Sequence, residues 1–537
     1  MRRRAAAPAL FALGLIGFGL AWVFASPPGA GPDETGHYVK ATAAARGDLR
    51  GEPPRLTEVE RREALSTLAR GGQSREELER FLARSDTPAS RWAFETSREF
   101  SIPAGLANPA FGCGLAQSSV SAACLDEGHA NTETRAVDSL FGTYQPFLHV
   151  VPGLGTLASD DAATALRFGR VVNAMLSLGL IALGALALWD LGRGALSLTG
   201  FVVAFTPSVM SFGTALTPSG PEVAAGICLA ASLIRLTRTP APRWVWAAAA
   251  LAGVVLASAR PLGTAFVAAI VFGIAALAGA RRVRAALAAV PGRVVGIAAA
   301  LVVIAAAAGL WWELSYQPRA PFELGNFLEG IGPSVRELWN VTREAVGVFS
   351  ALDTILPAPL YIAWLAMLAL LLGASFAVGD RRERVSLVLV AAAVLVVTVV
   401  ASSVYRQTGY DLQARHILPV AVVLPLYAGE LLNRNRAALA PRTARRLLAG
   451  LSAIAAAVHA LAFYVYCRRF AVGTDGSWMF LPDAEWSPPL DWLPWLLVAA
   501  MAALAYTAAG WQASRALEAQ PGLVHELDSR LSESPIR

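Results

Sequence analysis

The sequence predicts an all-α integral membrane protein with about twelve transmembrane helices. The chain has 537 residues, of which 55% are hydrophobic and only 16% are charged, and its mean hydropathy is +0.49. Apolar runs recur along almost its whole length, and each is bounded by charged residues, Pro or Gly. A soluble multidomain protein of this length does not have such a composition.

The net charge of +6 does not indicate a nucleic-acid partner. Nearly all basic residues are arginines, with Lys40 the only lysine, and they lie in short clusters between apolar runs. Such clusters are typical of connections on the cytoplasmic side of a membrane. The sequence therefore predicts a multi-pass protein of the plasma membrane with a lipid bilayer around it.

The first apolar run, residues 8–25, follows three arginines and resembles a signal peptide. With about 18 residues it is long enough to span, so an uncleaved signal anchor is the simpler interpretation than cleavage after Ala25. The predicted domains are the first transmembrane helix (1–25), an extracytoplasmic loop domain (26–160), a polytopic transmembrane domain (161–515) and a cytoplasmic tail (516–537).

Within the large outer loop, the charge pattern of Thr57–Ser85 predicts two short surface helices. The aromatic residues Trp92, Phe94 and Phe100 are expected to pack this loop onto the membrane body, with a substrate groove as the alternative. Cys113 and Cys124 flank a small polar segment and predict a disulfide, hence an oxidising compartment, although two free thiols stay open from sequence alone.

Eleven further apolar runs follow the first one, and 222–236 and 244–258 are short enough to be tilted, broken or re-entrant. The runs are 167–189, 195–215, 222–236, 244–258, 262–279, 294–312, 356–378, 385–403, 417–432, 447–466 and 492–511. Twelve alternating spans place the main arginine clusters inside, which predicts that both termini are cytoplasmic. Any site on the outer side must then be built from the outer connections, which include 26–160, 216–222, 258–263 and 405–416.

The segment Gly31–Tyr38 (GPDETGHY) brings two carboxylates and an imidazole to the membrane surface directly after the first run. Ionisable residues beside a bilayer are functional candidates, which makes Asp33, Glu34 and His37 a candidate site. Helix capping by Asp33 is the alternative explanation. The histidines show no HExxH or comparable spacing, so a tightly held zinc ion is not expected, whereas a loose divalent site at these three residues stays open.

Arg260 and Arg415 break the topology rule, since both lie at outer membrane edges where arginine is otherwise scarce. A guanidinium group forms paired, charge-assisted hydrogen bonds to phosphate oxygens and stays charged in a dry site, so a phosphate is a candidate partner for both. An internal ion pair with Asp33, Glu222 or Asp411 is the alternative, and a ligand could displace such a pair.

Glu222 lies in the TPSGPE segment, where an acid in the first turn of a helix is explained by the helix dipole, with contact to a substrate hydroxyl or metal as the alternative. The sequence contains no Walker loop, dinucleotide-binding turn or GxSxG elbow, so nucleotide-driven transport is not supported. Acidic residues also avoid the middles of the apolar runs, unlike those of proton-coupled carriers.

Four segments together resemble a bacterial membrane-protein family known as domain of unknown function 2142: PDETGH after the first run, TPSGPE, the Arg-Pro of SARPLG, and QARHILP before a late run. Members typically carry P-D-E-x-x-H, an N-P-S-G-like turn and Q-x-R-Y-x-x-P in these places. This chain departs from the pattern at Thr217, where Asn is usual, and at His416, where an aromatic residue is usual.

The resemblance implies a GT-C-like glycosyltransferase that takes a sugar from a polyprenyl-phosphate donor to a glycan or lipid acceptor of the cell envelope. It implies Asp33 as the base, supported by Glu34 and His37, while Arg260 and Arg415 bind phosphate and His416 and Glu222 complete the substrate-binding set. No cofactor is implied, and the need for a divalent cation is left open. The rival hypotheses are a transporter or flippase of lipid-linked glycans and a non-catalytic assembly subunit.

Overall fold

The computed structural model describes residues 2–53, 88–115, 117–125, 133–238 and 240–517. The two surface helices predicted within Thr57–Ser85 and most of the predicted tail at 516–537 lie outside the described residues. Within the described ranges the chain is mostly helical, which confirms the all-α integral membrane fold.

The chain begins with the apolar helix α1 and then builds a loop region from short elements before the second long helix. These elements are α1 (Arg2–Ala25), α2 (Glu34–Ala45), α3 (Pro88–Thr96), β1 (Arg98–Pro103), β2 (Thr134–Ser139) and α4 (Phe147–Gly155). The two strands pair antiparallel, with Arg98 opposite Ser139 and Pro103 opposite Thr134. A small hydrophobic core joins this region to the membrane body, and Phe100 is part of it, as expected.

The remaining elements form the helical bundle and its connections. They are α5 (Ala162–Trp189), α6 (Leu198–Ala204), α7 (Pro207–Thr214), α8 (Ser219–Leu236), α9 (Arg243–Ala257), α10 (Gly263–Ala278), α11 (Ala280–Ala288), α12 (Gly292–Tyr316), α13 (Leu324–Gly347), β3 (Val348–Phe349), β4 (Thr354–Ile355), α14 (Ala358–Val378), α15 (Arg381–Arg406), α16 (Leu418–Ala421), α17 (Val423–Arg434), α18 (Pro441–Val472) and α19 (Trp492–Arg515).

Each of the twelve predicted apolar runs is helical, but they do not all have the length of a span. Eight helices among the described residues are long and apolar enough to cross a membrane, and the total is ten if the bent pairs α6–α7 and α10–α11 each count as one span. The other two runs correspond to α9 and to the pair α16–α17. At about 1.5 Å per residue, the 15 residues of α9 cover roughly 22 Å, less than a hydrocarbon core of about 30 Å.

Helix burial separates the middle of the bundle from its lipid-facing edge. Helix α8 is buried almost throughout and packs against α5 and α9, whereas α12 exposes most of its apolar surface. Helix α1 packs along α19. Helix α8 is therefore a scaffold for two kinds of connection: the one that precedes it in the chain and those that pack beside it.

Cys113 and Cys124 form a disulfide, which confirms that pairing. The segment that they enclose is held against α18 by the buried Arg469, whose guanidinium donates to the carbonyl oxygens of Gly114 at 2.6 Å and Val120 at 2.7 Å. The disulfide loop is therefore fixed to the same end of the bundle as the connection between α1 and α2.

Candidate functional site

Asp33 lies at the start of α2 but does not cap it. Its backbone is left-handed, with φ of 56°, and its side chain makes no capping hydrogen bond. The carboxylate forms an ion pair with the guanidinium group of Arg415 and remains 36% exposed. Helix capping, the alternative explanation for Asp33, is therefore wrong, and its carboxylate stays accessible to a ligand.

Glu34 is fully buried and belongs to a different cluster. Its carboxylate accepts hydrogen bonds from Arg170 Nε at 2.7 Å, from the backbone amide of Leu216 at 2.7 Å and from that of Gly31 at 3.0 Å. Burial raises the pKa of Glu34, but Arg170 and the backbone amides outweigh it and bring the pKa below its ordinary value. Glu34 thus links the connection between α1 and α2 to α5 and to the turn before α8. It lies away from the cavity described below.

Arg415 lies in a short 3-10 turn, Ala414–His416, and its side chain is only 5% exposed. The turn is anchored by the Ala414 amide, which donates to Glu344 Oε2 at 2.9 Å. Burial lowers the pKa of the Arg415 guanidinium, but the Asp33 carboxylate more than offsets it, so the net shift is upward. Its Nε and Nη1 atoms have no hydrogen-bond partner among the described residues.

Arg260 lies in the connection between α9 and α10 and is also buried. Its Nη2 donates to Ser219 Oγ at 2.6 Å, and its Nε lies 3.5 Å from Glu222 Oε2. The second contact is a charge interaction without hydrogen-bond geometry, so Nε and Nη1 of Arg260 are likewise unpartnered within the described ranges. Glu222 lies in the first turn of α8 and is buried, and its Oε2 has no hydrogen-bond partner among the described residues.

Both ion pairs anticipated for Arg260 and Arg415 are thus present, with Glu222 and Asp33 respectively, while Asp411 pairs with Arg406 instead. Neither pair uses the full capacity of its arginine. Buried guanidinium N–H groups without acceptors are costly, and they mark the place where an additional acceptor would be bound.

Asp33, His37, Arg260, Arg415 and His416 line one cavity of about 130 Å³. The acidic segment and the two outer arginines therefore converge on one cavity. Glu34 and Glu222 are absent from the lining. The other residues of its wall are Trp92, Ala93, Thr96, Leu140, Phe141, Tyr144, Tyr405, Tyr410 and Gln413.

Most of the aromatic lining was not anticipated. Gln413 is the first residue of the QARHILP segment, but no role was predicted for it. Tyr405 and Tyr410 belong to the same outer connection without being singled out, and Tyr144 carried no signal at all. Trp92 lines the cavity as the substrate-groove alternative required, while Phe94 is exposed rather than packed.

His37 is held by contacts with two aromatic side chains, His149 and Phe141. Its Nδ1 lies 3.1 Å from His149 Nε2, and its ring stacks on Phe141 at 4.2 Å between centroids. Gly36 permits this packing, because a Cβ at that position would lie 2.8 Å from the Phe141 ring. Lys40, the only lysine, donates to the carbonyl oxygens of Phe141, Gly142 and Tyr144 and so fixes that segment to α2.

The two cavity histidines are uncharged at neutral pH. Burial lowers the pKa of both imidazoles well below the ordinary value, and Arg260 and Arg415 lower it further. For His37, the neighbouring His149 acts in the same direction.

A loose divalent site at Asp33, Glu34 and His37 is not formed, because Glu34 faces Arg170 and Asp33 faces Arg415. Across the part of the chain that the structure describes, no group of three or more His, Cys, Asp or Glu residues is arranged to hold a metal ion.

Two solved structures are similar to this chain. They are the crystal structure of ArnT from Cupriavidus metallidurans in the apo state, with 16% identity, a TM-score of 0.30 and coverage of 73% of this chain and 70% of that chain, and the same protein bound to undecaprenyl phosphate, with 16% identity, a TM-score of 0.31 and coverage of 73% and 71%. No curated protein matches the sequence.

The family described as "Predicted membrane protein (DUF2142)" matches residues 16–424, a range that includes every residue of the cavity. The chain belongs to the DUF2142 family of membrane proteins.

Proposed function

We propose that this protein is a GT-C-type membrane glycosyltransferase that moves a sugar from a polyprenyl-phosphate donor to a glycan or lipid acceptor of the cell envelope. The observation that carries the proposal is the cavity, where a half-exposed carboxylate, Asp33, faces two buried arginines with unused N–H groups. A phosphate donor and a hydroxyl acceptor need these two kinds of group side by side.

The donor phosphate would bind Arg415 and Arg260. Its oxygens would accept from the Nε and Nη1 atoms that lack partners, and its charge would compete for Arg415 with Asp33, which accepts from Nη2. Because both arginines are buried, their charges act in a region of low dielectric and stabilise the negative charge that develops on the leaving phosphate.

Displacement from Arg415 would free Asp33 to act as the base. The acceptor hydroxyl would give its proton to the Asp33 carboxylate while its oxygen forms a bond to the anomeric carbon of the sugar. The bond from that carbon to the phosphate oxygen would break, and its electron pair would leave with the polyprenyl phosphate. A single displacement of this kind inverts the anomeric configuration.

The site is proposed to face the outside of the plasma membrane. The Cys113–Cys124 disulfide, which is fixed to the same end of the bundle, supports an oxidising compartment on that side. The arginine clusters of the opposite connections support cytoplasmic termini. A lipid-linked donor and an envelope acceptor would meet at this face.

The direct test is transfer of radiolabel by purified protein in lipid nanodiscs. The protein would be supplied with a panel of radiolabelled polyprenyl-phosphate sugars and with envelope glycolipid extract as acceptor. The proposal expects labelled product from at least one donor, and loss of product in Asp33→Asn. Binding of donors without transfer by the wild type would favour the flippase hypothesis, and no binding would favour an assembly subunit.

Asp411→Asn is the matched control for this test. Asp411 is an aspartate of a neighbouring connection, 71% exposed and paired with Arg406, and it does not line the cavity. Its substitution removes the same charge and is expected to leave transfer unchanged.

A further inference from the structure

A chain of two imidazoles behind the cavity fixes which nitrogen of His37 carries the proton. His37 Nδ1 faces His149 Nε2 at 3.1 Å, and His149 Nδ1 lies 3.0 Å from the carbonyl oxygen of Gln145. All three groups are buried. His149 lies on α4, so the chain joins α4 to α2.

The end of this chain determines its direction. A carbonyl oxygen only accepts hydrogen bonds, so Nδ1 of His149 must be the donor to Gln145. A neutral His149 then presents an unprotonated Nε2, which must accept, and the donor to it is Nδ1–H of His37. Neutral His37 is consequently left with a lone pair on Nε2, and this atom has no hydrogen-bond partner among the described residues.

The groups that surround His37 keep it uncharged. Its own helix contributes Lys40, α4 contributes His149, and the connections contribute Arg260 and Arg415, all of which disfavour a proton on the ring. The same cavity also contains Asp33, whose charge is compensated by Arg415, together with Tyr144, Tyr405 and His416. A second proton on His37 would therefore add a positive charge beside three existing ones.

We infer that Nε2 of His37 is a fixed hydrogen-bond acceptor for a hydroxyl group of the sugar that is transferred. The cavity then has two subsites of opposite character: donors on Arg260 and Arg415 for the phosphate, and an acceptor on His37 for the sugar. This inference rests on the proposed function and makes His37 a specificity-determining residue, with His149 as its positioning residue.

The expected change in affinity follows from the cost of leaving Nε2 of His37 without a hydrogen-bond partner. A buried acceptor without a partner costs about 1–3 kcal/mol, which corresponds to roughly 5- to 150-fold in affinity. A donor analogue that lacks the hydroxyl should lose binding by about this factor.

The tautomer can be measured without any substrate. Nitrogen-15 spectra of protein labelled at histidine, in lipid nanodiscs at pH 7, would be assigned to His37 by comparison with His37→Gln. The inference expects neutral His37 with its proton on Nδ1. His459 is an internal reference of the opposite kind, because its Nε2 lies 2.9 Å from the carbonyl oxygen of Phe205. A proton on Nε2 of His37, or a charged ring, would overturn the inference.

The variant His149→Phe removes the acceptor behind His37 and should shift the tautomer towards a proton on Nε2. If this variant fails to fold, the wild-type spectrum still decides the matter. Transfer assays test the proposed function separately. If no sugar is transferred but His37 has the expected tautomer, the proposed function is wrong while Nε2 of His37 remains a fixed hydrogen-bond acceptor.

The ligand is tested by titrating the labelled wild type with undecaprenyl phosphate and, separately, with the polyprenyl-phosphate sugar panel. The inference expects the Nε2 resonance of His37 to move with a sugar-bearing probe and to change little with undecaprenyl phosphate alone. An equal shift of the Nε2 resonance with both probes, or no shift with the sugar-bearing panel, would show that Nε2 does not bind the sugar.

Discussion

Asp33 and Glu34 are adjacent in sequence, and each forms an ion pair with an arginine. The two ion pairs differ in their exposure and in how many hydrogen bonds the arginine makes. Glu34 and Arg170 are completely buried, and Arg170 also donates to the carbonyl oxygens of Ser26 at 2.8 Å and Pro27 at 2.7 Å. In the Asp33–Arg415 pair the Asp33 side chain is partly exposed, and two nitrogens of Arg415 have no partner within the described ranges. The first pair is complete as a structural link, whereas the second has capacity left for a ligand.

The opposite end of the bundle supports this distinction. There Glu430 is buried and accepts from Arg434 Nε at 2.9 Å, from Arg238 Nε at 3.1 Å and from Ser197 Oγ at 3.0 Å. This cluster resembles the Glu34 pair rather than the Asp33 pair, because its carboxylate is fully used. Among the described residues, two unpartnered nitrogens on each of its two buried arginines distinguish the candidate site from the Glu34 and Glu430 clusters.

The largest effect on stability is expected from breaking the complete pair. Glu34→Gln should destabilise the protein by about 3–5 kcal/mol, because Arg170 would remain buried without a counterion. Thermal unfolding in detergent measures this loss. Asp33→Asn is the matched variant: it also removes the counterion of a buried arginine, but the Asp33 side chain is 36% exposed and faces the cavity, so the loss should be smaller than in Glu34→Gln. Similar losses in both variants would contradict the distinction between the pairs.

The largest effect on activity is expected from the open pair. Asp33→Asn should reduce sugar transfer by about 10²–10⁴-fold, roughly 3–5 kcal/mol of barrier, because an amide cannot accept the proton of the acceptor hydroxyl. Initial rates with saturating donor measure this directly. Transfer near the wild-type rate would exclude Asp33 as the base, and Glu34 is not available to replace it because it faces Arg170.

Much of this site was predictable because its charges are unusual for a membrane protein. Arg260 and Arg415 were identified since they lie on the side where arginine is scarce, and Asp33 and His37 since they follow the first apolar run. The role of Glu34 was not predictable, because its partner Arg170 lies within an apolar run, where sequence gives no contact. The carboxylates of Glu34 and Asp33 are adjacent in sequence, so residue spacing alone could not show which of them is a complete structural link.

The remaining differences have local physical causes. The left-handed backbone of Asp33 turns its side chain away from the helix that it precedes, which no residue pattern indicates. The aromatic lining is assembled from separate connections, with Trp92, Tyr144 and Tyr405 brought together only by the fold. Helices were predicted well because apolar runs determine them, and even the short α9 (Arg243–Ala257) matches the predicted run 244–258 within one residue at each end.

Removal of the disulfide should have an intermediate effect. The variant with Cys113→Ser and Cys124→Ser should lose about 2–3 kcal/mol, since the unfolded chain gains freedom over the short enclosed loop. The loss would be partly limited by Arg469, which holds the same loop through backbone carbonyl groups. Thermal unfolding with and without reductant measures it, and no response of the wild type to reductant would contradict this prediction.

Donor binding should be weakened by a change that keeps the charge. Arg415→Lys and Arg260→Lys are each expected to lose about 10-fold in donor affinity, roughly 1.4 kcal/mol, because lysine cannot form two parallel hydrogen bonds to phosphate. Arg406→Lys is the control, since Arg406 pairs with Glu337 and Asp411 outside the cavity. Equal donor affinity in all three variants would leave the cavity arginines as structural ion pairs.

The smallest predicted effect concerns acid. The pKa of His37 and His416 lies well below the ordinary value of 6.5 in the folded protein, so both stay neutral while the unfolded chain takes up protons. Stability from these groups is complete above about pH 6.5 and is lost as the pH falls below that value. The unfolding temperature should therefore decrease from pH 7 to pH 5, and less steeply in His416→Phe.

The most direct test of the unused capacity is the affinity of undecaprenyl phosphate for wild type and for Asp33→Asn in nanodiscs. Asp33 competes with the phosphate for Arg415, and two like charges about 4 Å apart repel by roughly 4 kcal/mol at an effective dielectric of 20. Asp33→Asn is expected to bind undecaprenyl phosphate at least about tenfold more tightly while losing sugar transfer. Unchanged or weaker binding would contradict it, because the phosphate would then not take the place of Asp33 on Arg415.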